Sequence, residues 1–97
     1  MMEAPVISPE VLARYAGDAA EEVDGVSALT RGAAEVTRRE AAADVVVHLE
    51  LEWGAAFEAV ARQVQERVSE YLARTADIEV GVVDVVVESV GAAPAKQ

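Results

Sequence analysis

The single histidine of this chain, His48, is followed at alternate positions by Glu50 and Glu52. On a strand, alternate side chains project from one face, so this His-x-Glu-x-Glu spacing sets one nitrogen and two carboxylates side by side. Such a set could in principle hold a metal ion or move a proton. One imidazole supplies too few nitrogen ligands for zinc, and a solvent-facing sheet surface accounts for the same pattern, so no metal is assigned to it. Ser8, Ser27, Ser69 and Ser89 lack a His/Asp pair, and the chain contains neither a Gly-x-Ser-x-Gly elbow nor a Gly-rich phosphate loop. With no cysteine there is no thiol nucleophile, disulfide or thiolate metal site. These patterns predict a protein that is not an enzyme and takes no cofactor.

The remaining candidates are surfaces. Arg31, Arg38 and Arg39 gather in what reads as one hairpin, where Glu35 and Glu40 offset them. With four aromatic residues in the chain, a nucleic-acid platform is not indicated. Trp53 continues an apolar strand face and is expected to pack in or beside the core. Asp18, Glu21, Glu22 and Asp24 crowd the end of a predicted helix, where the negative end of the helix dipole disfavours acids. They are candidates for docking a basic partner.

These groups must be carried by a single small domain. The chain has 97 residues, with 18 acidic against 8 basic side chains, a net charge of -10 and 53% hydrophobic residues. That is ample for a core and too apolar for a disordered acidic tail. No apolar run approaches the roughly 20 residues that span a bilayer, and no secretion signal is visible, so a cytoplasmic protein without direct membrane insertion is expected. The charge disfavours nucleic acid and anionic lipid as direct partners. The apolar residues are 20 Ala and 18 Val against 5 Leu, 2 Ile and 1 Phe, which sorts the chain into alanine-rich helices and valine-rich strands.

Val6-Ile7 reads as a short strand. Ser8 can cap a helix opening at Pro9, whose apolar face carries Val11, Leu12, Tyr15, Ala16, Ala19, Ala20 and Val23 and which Asp24-Gly25 stops. Gly17, inside that helix, suggests close approach of another backbone. A strand pair follows at 26–29 and 35–37, then a long strand over 44–53. There Val45, Val47, Leu49, Leu51 and Trp53 form one face, and Val46, His48, Glu50 and Glu52 the other. A helix over 55–74 carries an apolar stripe of Phe57, Val60, Ala61, Val64, Val68, Tyr71 and Leu72. The valines of the closing stretch, 78–88, change phase at Val82-Val83, which marks a bulge or bend at Gly81. Long strand, helix and final strand make a right-handed crossover with the two strands parallel. The expected architecture is α+β, with two helices packed on one face of a small mixed sheet of three or four strands. The domain should fill residues 1–90, with a frayed tail over 91–97. On the uncovered face, exposed Val46 and Val86 among acids are predicted to serve self-association or partner docking.

In this order and spacing, several segments resemble the alkaline shock protein 23 family, the envelope stress response proteins of Gram-positive bacteria. They are Ile7-Ser8-Pro9-Glu10-Val11-Leu12, Ala19-Ala20-Glu21-Glu22-Val23-Asp24-Gly25-Val26, Glu52-Trp53-Gly54, Val64-Gln65-Glu66-Arg67-Val68 and Val83-Asp84-Val85-Val86-Val87. The likeness covers about residues 6–90. It implies a non-enzymatic cytoplasmic protein, a membrane-anchored protein partner and, for some members, assembly into homo-oligomers. It carries over no catalytic residues. The chain departs from the family in having Ala55-Ala56-Phe57 where an Ile-Pro pair often precedes the second helix, and Asp84 where Asn is common. The reading from a different class is a small-molecule-sensing regulatory domain, with its ligand between helix and sheet.

Overall fold

The computed structural model describes residues 7–93. The elements run α1 (Pro9–Glu21), β1 (Val26–Leu29), β2 (Glu35–Arg39), β3 (Ala42–Leu51), α2 (Phe57–Ala76) and β4 (Glu79–Val90). Ser8 caps α1 by accepting from the Val11 N–H at 3.2 Å, and Pro9 occupies the first turn, where no N–H is needed. Ile7 lies in no strand, although it packs against the core, and Val6 falls outside the described residues. α2 opens at Ala56 without a side-chain cap. It closes on Asp77 in the left-handed conformation (φ 55°), whose N–H bonds back to the Leu72 carbonyl.

β3 is the centre of a mixed sheet. β4 runs parallel to it along its whole length, through the α2 crossover. The opposite edge of β3 is shared end to end by two antiparallel strands, β1 against Leu49–Leu51 and β2 against Ala42–Val46. β1 and β2 were expected to pair with each other, and they do not. They form one interrupted edge strand, and β2 alone forms the hairpin with β3. β4 is one continuous strand with bulges at two places. Gly81 is the extra residue between Val80 and Val82, as the valine phase predicts, and Glu88 is a second one between Val87 and Ser89.

Both helices lie on one face of the sheet. Ala43, Val45, Val47, Leu49 and Leu51 of β3 are fully buried there against Leu12, Ala16, Ala19 and Ala20 of α1 and Val64, Val68 and Leu72 of α2. The helices meet through Tyr15 and Tyr71, whose rings pack edge to face at 6.0 Å. Gly17 lets α1 approach the β1–β2 connection. A Cβ there would lie 2.9 Å from Leu29 Cδ1, and the Ala34 N–H donates to the Ala13 carbonyl across the contact.

Three apolar residues assigned to the buried side are exposed. Trp53 (60% exposed) lies past the end of β3, which stops at Leu51, and Phe57 (49%) is the first residue of α2, before its stripe meets the sheet. Val11 (39%) lies on the outer side of the first turn of α1, beside Leu12, which is fully buried. Past the end of β4, the Gly91 N–H still bonds to the Leu51 carbonyl at 2.8 Å. Residues 94–97 lie outside the described residues.

Candidate interaction surface

The face of the sheet away from the helices has no covering element among the described residues. Its side chains come from alternate positions: Glu35 and Thr37 of β2; Asp44, Val46, His48 and Glu50 of β3; Val82, Asp84, Val86 and Glu88 of β4. Val46 and Val86 both lie on this uncovered face, as the sequence predicts, and the pairing of Val46 with Asp84 and of His48 with Val86 sets them beside the histidine. Val46 is half-buried and Val86 is 38% exposed.

Polar groups on this face are tied across strands. Arg31, in the β1–β2 connection, grips Glu88 with two bonds, Nη2 to Oε2 at 2.8 Å and Nε to Oε1 at 3.2 Å, while Thr30 Oγ1 donates to the same carboxylate. The Arg31 guanidinium and the Thr30 hydroxyl hold the Glu88 carboxyl down at about 2, and Glu88 in turn raises Arg31. His48 Nε2 sits 3.0 Å from Glu35 Oε2. Its Nδ1 is 3.7 Å from Glu88 Oε1 and has no hydrogen-bond partner. Glu50 accepts from Ser27 and Ser89 on the two flanking strands. Asp44 accepts from Arg39 and, at 3.1 Å, from the Val82 N–H that the Gly81 bulge presents to it.

The His-x-Glu-x-Glu set is therefore not assembled. Glu52 lies beyond the strand, Glu50 is held by serines, and the neighbours of His48 are Glu35 and Glu88. No group of metal-ligating side chains forms among the described residues. The imidazole is also less solvent-facing than expected: its side chain is 12% exposed although no helix covers it. The three arginines do not form one cluster. Arg31 pairs with Glu88, Arg39 with Asp44, and Arg38 pairs in register with Ala43, on the helix-covered side. Sequence reading missed the Arg31–Glu88 pair because the partners are 57 residues apart. The available signal was the alternation Asp84, Val86, Glu88, which puts Glu88 on the uncovered face without naming its partner.

Asp18, Glu21, Glu22 and Asp24 are all exposed at the end of α1, and no base stands in its last turn. Among the described residues none of the four makes a salt bridge. They belong to the helix layer, whereas Val46 and Val86 lie on the opposite face of the sheet. The proposed partner-binding residues therefore form two separate surfaces. The space between helices and sheet, where a sensed small molecule would sit, is occupied by core side chains such as Leu12, Leu49, Val64 and Leu72.

The fold defines a class: a mixed α+β sandwich with a central strand, a parallel crossover and one bare sheet face. Solved structures similar to it include three variants of the MamM CTD. A histidine-to-alanine variant has a TM-score of 0.58 at 16% identity, covering 82% of this chain and 95% of that one. A methionine-to-leucine variant gives 0.57 at 17%, covering 82% and 95%. A histidine-to-glutamate variant gives 0.57 at 17%, covering 82% and 93%. At these identities the likeness is one of fold. No family model matches the chain, and no curated protein matches it.

Proposed function

We propose that this chain is a non-catalytic interaction domain of the bacterial envelope stress response, acting on the cytoplasmic side of the membrane through a membrane-anchored protein partner. The observation that carries this reading is the bare sheet face. Its polar side chains are engaged with one another across strands rather than gathered around a cleft, and Val82 and Val86 stand exposed among them, with Val46 half-buried beside them. Apolar area framed by ordered polar groups suits protein docking. The resemblance to the alkaline shock protein 23 family supplies the setting, and its segments fall on α1, the turn at Gly25, the exit of β3, α2 and β4. No helix of the described residues is long and apolar enough to cross a membrane. A net charge of -10 repels anionic lipid, which makes a protein adaptor with a basic segment the fitting route to the membrane. The acidic end of α1 offers that segment a counter-charge.

The test is recovery of the chain in the membrane fraction of cells across a salt series. The wild type should co-sediment at low ionic strength and detach as it rises. The Glu21→Gln/Glu22→Gln and Val46→Glu/Val86→Glu double variants should both be recovered poorly. Full recovery of both at every salt concentration overturns the proposal.

A further inference from the structure

The other side of β4 carries a different signal. β4 is a long edge strand, and among the described residues nothing pairs with its outer side. Backbone direction along it is fixed by three bonds. The Val82 N–H is turned toward β3, to Asp44. The Val83 carbonyl is turned away from β3 and accepts from Gln65 Nε2 of α2 at 3.0 Å. The Gly91 N–H, beyond the Glu88 bulge, is turned back toward the Leu51 carbonyl of β3. By strand alternation, Val83, Val85 and Val87 all present N–H and C=O groups to the free edge. The two bulges bracket this regular stretch.

We propose that the chain forms a homodimer by antiparallel pairing of β4 with β4 of a second copy, on a two-fold axis through Val85. Pairing about Val85 sets two copies of Val85 opposite each other and Val83 opposite Val87 of the second copy, so every outward group meets a complementary one. The Val83 carbonyl has a second lone pair, so the Gln65 bond persists. The acids choose the register. About Val85, Asp84 faces Val86 of the second copy and Glu88 faces Val82. A shift of the axis to Asp84 places that residue opposite itself, and a shift to Val86 places Asp84 opposite Glu88, both of which are destabilising. Axes further along, at Val83 or Val87, run the ladder into a bulge. Pairing about Val85 also covers part of Val82 and Val86, which are 47% and 38% exposed. Because each copy carries a charge of -10, association should strengthen as salt rises. This is opposite to the trend expected for docking to a basic partner.

The dimer is independent of the envelope proposal, since it is read on the purified full chain without a partner. The experiment is sedimentation equilibrium over a range of concentration and salt, with circular dichroism to verify folding. Wild type should dimerise. Val85→Pro removes an outward N–H and leaves the ladder to β3 intact, as edge positions allow, and it should weaken the dimer by roughly tenfold or more. Val86→Lys, placed opposite Asp84 of the second copy, should tighten the dimer, and Val86→Glu should weaken it. A wild type that stays monomeric at every concentration and salt overturns the proposal. So does a folded Val85→Pro variant that associates as the wild type does, and equal effects of Lys and Glu at position 86 exclude this register.

Discussion

Arg31 and Glu88, 57 residues apart, form a two-pronged ion pair that spans the sheet from the β1–β2 connection to β4, with His48 of the central strand between them. It closes the bare face much as a clasp would, because strand alternation puts Glu88 on the same face as Asp84 and Val86. Arg31 and Thr30 hold the carboxyl at about 2 against an ordinary 4.5. The folded state therefore binds this proton less readily than the unfolded chain. The resulting stability is present above pH 4.5 and is lost as pH falls toward 2. Glu88→Gln should flatten the acid limb of a stability-against-pH curve in that window. Because the pair is exposed, the difference should shrink in high salt. Denaturant titrations at pH 3 and pH 6 in both variants check this.

Gly25 turns the chain between α1 and β1 at φ 99°, and a Cβ there would lie 2.7 Å from Val60 Cγ2. Val60 is buried and stiff at its branched β-carbon, so it cannot yield. Gly25→Ala should destabilise the domain by about 1–3 kcal/mol, read as a lowered midpoint in thermal or urea unfolding.

The acids at the end of α1 oppose the helix dipole and have no basic residue beside them in the last turn. Glu21→Gln with Glu22→Gln should raise stability by about 0.3–1 kcal/mol per charge at low ionic strength, and by less in salt. A loss of stability in the double variant would mean that the acids serve the fold.

Leu49 and Trp53 share a phase along the strand sequence, yet Leu49 is fully buried and Trp53 is 60% exposed. Leu49→Ala should cost about 2–5 kcal/mol, a large share of the roughly 5–15 kcal/mol that holds a small domain together. Trp53→Ala should stay within about 0.5 kcal/mol. Equal losses in thermal unfolding would place Trp53 in the core.

Local and periodic features were legible in the sequence. Ser8-Pro9 starts a helix by capping chemistry alone. The alternation of Val45, Val47, Leu49 and Leu51 assigns the buried face of β3, and the phase change at Gly81 marks a bulge, since each depends on neighbours a few residues away. The α+β class and the parallel crossover follow from the order of such segments. The partners of the two short strands were beyond its reach. β1 and β2 lie in line rather than side by side because β3 is long enough to pair with both along one edge, a matter of register that neither short strand encodes. The ends of the periodic runs also depended on tertiary geometry. Trp53 and Phe57 fit their stripes by spacing, but the sheet ends at Leu51 and gives them nothing to pack against. The surroundings of His48 belong to the tertiary structure alone. Its nearest sequence acids, Glu50 and Glu52, turn out to be held by serines or to lie beyond the strand. Its actual neighbours, Glu35 and Glu88, arrive from two other strands, because strand pairing brings together residues that the chain keeps far apart.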